Sequence, residues 1–158
     1  MNNIITVLHN TLSNQRVIDF VSTSISLGVN TIILTKVGGT AAQIGIPEAF
    51  KQAIKNNAKL IVLPDINDIK SVFEKAQLYF FVQKEYAKEE FNVNELFELY
   101  KNGFQPILIF GGLEPGFNKK ELELGKAVHL NIGGNIPSVS LAAIVLFIIK
   151  RFLEEQNV

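Results

Sequence analysis

Short apolar, β-branched runs alternate along the chain with longer segments whose apolar residues recur at helical spacing. Ile4–Leu8 reads as a buried strand. The polar HNTLSNQ that follows is turn chemistry, with Ser13 or Asn14 as a helix cap. Val17, Ile18, Val21, Ile25 and Leu27 then fall on one helical stripe that Gly28 stops. NTIILT is a second strand, KVGGTAAQIGI a loop, and Pro47 starts a helix to about Lys55. Lys59–Leu63 predicts a third strand, and Ile66–Lys75 a short helix with Ile69, Val72 and Phe73 inward. Leu78–Gln83 is a fourth strand, after which KEYAKEEFN is charged and exposed. Asn94 caps a helix through Tyr100, Pro106–Phe110 is a fifth strand, and a short helix begins near Asn118. Lys126–Leu130 is a sixth strand, and the last helix runs from about Ser138 to Glu155.

Strands that are apolar throughout, alternating with helices, predict an α/β fold: a mostly parallel sheet covered by helices on both faces. The 158 residues contain no repeat or linker, so one domain over 1–158 is expected. Ligands of such sheets bind beyond the carboxyl ends of the strands. Two glycine loops lie there, GGLEPG after the fifth strand and NIGGNIPS after the sixth. The first is neither a Walker nor a dinucleotide fingerprint, and its Glu114 would repel a phosphate. A ligand with cationic and hydrogen-bonding groups suits the first loop better. Either loop alone is also ordinary turn punctuation, and Ser138 is a good helix cap.

Composition adds exclusions. Fifteen basic and fifteen acidic residues cancel, so no global basic signature for nucleic acid is present. The absence of Cys excludes disulfides and thiolate catalysis, and His9 and His129 alone predict no metal site. With no signal peptide and no span of about 20 apolar residues, a cytoplasmic protein free of the membrane is expected. The final helix is apolar on every side through Leu141–Ile149. Burial all round is expected of such a helix, and a second copy would provide it: a homodimer.

The segment LIFGGLEPGFNKKELELGKAVHLNIGGNIPSVSLAAIVL resembles the C-terminal region of the SpoU branch of SPOUT methyltransferases. VLHNTLSNQRVIDFVSTSISLGVNTIIL resembles that family's opening segment. The resemblance implies a C-terminal trefoil knot, a homodimer, S-adenosylmethionine as cofactor, and methyl transfer to RNA, ribose 2′-O-methylation of rRNA or tRNA being one form. It implies a cofactor site built from Val82, Ile109, Gly111, Gly112, Leu113, Glu114, Leu130, Ile132, Ile136, Ser140 and Leu141, with Glu114 and Ser140 matching the family by residue type; Arg16, like His9, is a further catalytic candidate only from its place near the end of the first strand. It also implies RNA as a partner, with an accessory protein as one way to bind it despite balanced charge. Two positions depart from the pattern: Ser22 stands where the branch has arginine, and Ala142 where it has asparagine.

His9 reads as a loop histidine satisfying a turn, Arg16 as a surface residue or a phosphate contact, and His129 as structural. One alternative function is a catalytically inactive dimer that binds cofactor or RNA. Another is a metal-dependent nuclease, because PDINDIK contains Pro64-Asp65 and Asp68-Ile69-Lys70, the pieces of a PD-(D/E)xK site. Asp65 more simply caps the next helix, leaving Lys70 to solvent.

Overall fold

The computed structural model describes residues 1, 3–113 and 116–156. Seven strands form one sheet: β1 (Ile5–Thr11), β2 (Thr31–Val37), β3 (Lys59–Leu63), β4 (Ala76–Phe81), β5 (Glu89–Glu90), β6 (Gln105–Gly111) and β7 (Lys126–His129). Their order is β3-β2-β1-β6-β4-β7-β5, and every pairing is parallel. The winding direction reverses between β1 and β6, which makes that boundary the topological switch point where α/β sheets hold ligands. His9 and Gly111 face each other across it.

Both faces are covered, which explains the uninterrupted apolar strands. On one face Leu8, Leu34, Leu108 and Phe110 pack under α1 (Asn14–Ser26), α2 (Ile46–Lys55), α4 (Val93–Lys101) and α6 (Ser138–Gln156). On the other, Ile5, Val7, Ile33, Ile107 and Ile109 meet Ile66 and Ile69. The helices there are one-turn pieces, α3 (Ile69–Val72) and α5 (Lys119–Leu122). The second face is therefore thinly covered, and polar chemistry collects at its carboxyl edge.

Several expectations are corrected. The first strand does not stop at Leu8: it continues through His9 and Asn10 to Thr11, and His9 is fully buried. KVGGTAAQIGI is not a loop throughout, since Ala41–Gly45 forms a π-turn that runs directly into α2. Val72 is 48% exposed instead of inward, because the helix ends there and Phe73 is already extended. Asn92, not Asn94, caps α4. The stretch expected to be charged and exposed is so at Glu89–Glu90, which also form the two-residue edge strand β5. Ser13 does cap α1, and Gly28 ends it with φ at +94°.

The last helix is buried on one face only. Ala142, Val145, Leu146 and Ile149 reach the core, whereas Phe147 is 57% exposed. Among the described residues no helix is long and apolar enough to cross a membrane.

Candidate functional site

Two concave regions lie at the carboxyl edge of the sheet, on either side of the switch point. The first is a cleft between the loops after β4, β6 and β7. Val82, Gly111, Leu113, Ile136 and Leu141 line it with Phe81 and Phe117, and Leu130 and Ile132 extend its wall. The structure thus gathers most of the residues expected to hold a cofactor. Ile109 is not among them: it sits mid-strand between Val7 and Phe80, its side chain in the core and its backbone in the ladder. Ser140 is exposed on α6 and lines none of these walls. Glu114 lies outside the described residues.

Gly112 owes its glycine to packing. A Cβ there would come within 2.7 Å of the Asn10 carbonyl oxygen and of Thr11 Cβ. Its N–H donates to the His9 carbonyl at 2.7 Å, locking the loop to β1. Arg16 reaches the same loop and donates from Nη1 to the Gly112 carbonyl. With Asn135, Pro137 and Ser138, Arg16 lines a hollow beside the cleft.

The second region is a cavity of about 310 Å³ at the ends of β2 and β3, where the polar Lys36, Asp65, Asn67, Asn118, Lys120 and Glu121 share the lining with Ile66 and Leu124. Lys36 has φ +50°, a strained backbone for a long side chain and one that occurs most at functional loops. Asn118 caps α5 by accepting from the Glu121 N–H at 2.8 Å, while Glu121 Oε1 accepts from the Asn118 N–H at 3.3 Å. That reciprocal box aims the second carboxylate oxygen of Glu121 inward, 2.5 Å from His9 Nε2. The two atoms are buried against each other, so each is the other's partner.

His9 Nδ1 lies 2.8 Å from the Thr35 hydroxyl. Burial drives the imidazole below its ordinary value of 6.5, against the opposing pull of Glu121 and Asp65, with Lys36 acting with burial. Held neutral, the ring fits its neighbours in one tautomer: Thr35 O–H donates to Nδ1, and the Nε2 proton faces the Glu121 carboxylate. A bare Nε2 lone pair would repel that oxygen. His129, by contrast, satisfies a turn, its Nδ1 accepting from the Asn131 N–H at 2.9 Å.

The PD-(D/E)xK pieces do not assemble. Asp65 Oδ1 accepts from the Ile66 N–H at 2.7 Å and Asp68 Oδ2 from the Asp65 N–H at 2.9 Å, a capping box. Lys70 is exposed. Among the described residues, no group of three or more His, Cys, Asp or Glu is arranged to hold a metal ion. Sequence reasoning singled out Asp65 but passed over Lys36, Asn67, Lys120 and Glu121. The signal for the missed residues is polar side chains directly after apolar strands, as in Thr35-Lys36 and Pro64-Asp65.

A family model described as RecB-family nuclease (DUF2122) matches residues 39–148. The "Putative type II restriction enzyme" of Aeropyrum pernix is 32% identical over 149 residues, covering 94% of this chain and 93% of the relative. A protein of the same description from Methanocaldococcus jannaschii is 29% identical over 140 residues, covering 89% and 91%. Among solved structures, the SpoU methyltransferase AviRb of Streptomyces viridochromogenes, in complex with AdoMet, aligns with a TM-score of 0.73 at 10% identity, over 97% of this chain and 59% of its own. The TrmH/SpoU tRNA modifying enzyme of A. aeolicus aligns with a TM-score of 0.69 at 15% identity, over 99% and 78%.

The all-parallel α/β sheet is therefore the one the resemblance implied, similar in architecture to these SpoU methyltransferases. The activity is not. Structural likeness at this identity shows the fold alone, while the family and both sequence relatives are described as nucleases or restriction enzymes. The expectation of an RNA methyltransferase, or of an inactive cofactor- or RNA-binding dimer in its place, is corrected. Ser22 and Ala142 already stood where that activity's pattern has other side chains.

Proposed function

This chain belongs to the RecB-family nuclease family (DUF2122), and from that premise we propose that it cleaves phosphodiester bonds of nucleic acid in the cavity at the ends of β2 and β3. The observation that carries the reading is the lining itself. Two lysines, Lys36 and Lys120, share about 310 Å³ with two carboxylates, Asp65 and Glu121, and two amides. Ammonium groups can stabilise the charge that develops on a phosphoryl oxygen. A carboxylate can take the proton of the attacking hydroxyl. Incubation with single- and double-stranded DNA and RNA, with and without Mg²⁺, tests this. The double variant Lys36→Ala/Lys120→Ala should cut at least about tenfold more slowly, about 1.4 kcal/mol of transition-state stabilisation. If the unaltered protein cuts none of the four substrates, the reading fails.

A second reading concerns the C-terminal cleft, where apolar walls from Phe81, Ile136 and Leu141 meet Gln83 and the backbone of Gly111. Such a surface suits a small ligand with an apolar body and a few polar contacts, and S-adenosylmethionine is the ligand we assign to it. Calorimetry with S-adenosylhomocysteine decides: no heat and no thermal shift at millimolar ligand count against it. The exposed Phe147 and Ile148 on α6 support a homodimer, with the second copy covering them.

A further inference from the structure

We infer that the C-terminal cleft is an effector site: S-adenosylmethionine bound there, without being consumed, tightens the hold of the neighbouring cavity on nucleic acid. The inference rests on the nuclease reading of the cavity and on the ligand assigned to the cleft, and goes beyond both by joining them.

The join is short and runs along the chain. Gly116 and Phe117 line the cleft, while Asn118, Lys120 and Glu121 line the cavity. Residues 116–121 thus serve both sites. A second tie runs through space. The Phe117 ring stacks on His9 with centroids 5.9 Å apart and meets Phe80 edge-on at 5.0 Å. His9 Nε2 in turn lies 2.5 Å from the Glu121 carboxylate. Whatever presses on Phe117 from the cleft is therefore felt at Glu121 by two routes.

The cleft is shaped to press there. A Cβ on Gly111 would come within 3.0 Å of Gly116 Cα and 3.6 Å of the Phe117 ring. The bare glycine lets this segment close onto the end of β6, beside the space a ligand fills. Val82, Ile136 and Leu141 offer apolar walls to an adenosyl body, and the amides of Gln83 and Asn135 offer polar contacts to its edges.

The element that both sites bias is α5. It is four residues long and none of them is fully buried. One helical turn is unstable by itself, so α5 keeps its place only while its ends are held. The reciprocal bonds of Asn118 and Glu121 hold its start, directly after Phe117. In the seated state Glu121 meets His9 and Lys120 faces the cavity; in the frayed state both are released. A ligand against Phe117 favours the seated state, and so does a phosphate drawn to Lys120. Each lowers the ordering cost left for the other, which makes the coupling positive. Linkage makes the factor equal in both directions. The role asks for binding alone, so no methyl group leaves the ligand.

The test is a binding cycle on the full chain with S-adenosylhomocysteine and a random-sequence DNA duplex, with Ca²⁺ in place of Mg²⁺ to hold back cutting. Calorimetry measures S-adenosylhomocysteine affinity with and without the duplex. Fluorescence anisotropy measures duplex affinity with and without S-adenosylhomocysteine. Each should tighten the other by the same factor, about fivefold or more. Phe117→Leu keeps an apolar wall but loses the stack on His9, so the factor should fall towards one whatever happens to the separate affinities. Asn118→Ala, which opens the box at the start of α5, should do the same and serves if Phe117→Leu fails to fold. Equal affinities with and without the other ligand, a weakened affinity, or a factor unchanged in both variants would overturn the inference and leave both sites standing. No binding of S-adenosylhomocysteine would overturn it together with the ligand assigned to the cleft. No binding of the duplex in either condition would overturn the inference, and the cutting assay then decides the nuclease reading by itself.

Discussion

His9 is a polar residue in a position where apolar residues dominate. It sits in a central strand, between Thr35 of β2 and Gly111 of β6 in register, with Phe117 stacked 5.9 Å from its ring. Keeping it neutral makes stability depend on pH. The imidazole is lowered from 6.5 by burial, so below that value the unfolded chain binds a proton that the folded chain resists. Stability is then full above about pH 6.5 and falls as pH drops towards the folded value, by at most about 1.4 kcal/mol per pH unit for one group. Urea unfolding at pH 7.5 and 5.5 should show the loss, and His9→Gln should flatten the difference. An equal slope in the variant would mean that another group carries the acid sensitivity. Gly112 offers a second test at this scale. Gly112→Val places a side chain against the Asn10 carbonyl, so overpacking should cost about 3 kcal/mol. Gly133 has open space around it, so Gly133→Ala should leave the melting temperature within about a degree of the parent.

At the scale of elements, the strands were readable because burial on two faces writes an apolar run into the sequence. Lys59–Leu63 matches the expected strand to the residue. What could not be read is where a strand ends when its last residues serve a site. HNT after IITVL has the composition of a turn, yet His9 pairs with both β2 and β6 and Thr11 with β2, which carries the strand on. The same limit hid Glu121: it looks like the N3 partner of a capping box, which it is, and only the fold brings it to His9. The PD-(D/E)xK pieces show the reverse, a motif in sequence that is a cap in space. Asp68→Ala should therefore lose about 1 kcal/mol of stability with the cap, read by chemical denaturation. Its cleavage rate should stay within about twofold of the parent once folded protein is matched; a larger loss would place Asp68 in the chemistry.

For the whole molecule, the order β3-β2-β1-β6-β4-β7-β5 places both concave regions beside one switch point, and Phe117 separates them, lining the cleft while stacking on His9. No local pattern in the sequence encodes that proximity, since it arises only when β6 returns to pair with β1. The apolar surplus of α6 belongs to the same scale. One face enters the core through Ala142, Val145, Leu146 and Ile149, yet Phe147 and Ile148 remain exposed at 57% and 36%. These two neighbouring apolar side chains offer a point of contact, and self-association gives the symmetric cover that most soluble oligomers use. Sedimentation equilibrium should find a dimer at micromolar concentration, and Phe147→Glu should shift it to monomer with unchanged circular dichroism, because the side chain lies outside the core. A parent that sediments as a monomer at the highest soluble concentration would leave this face to some other partner.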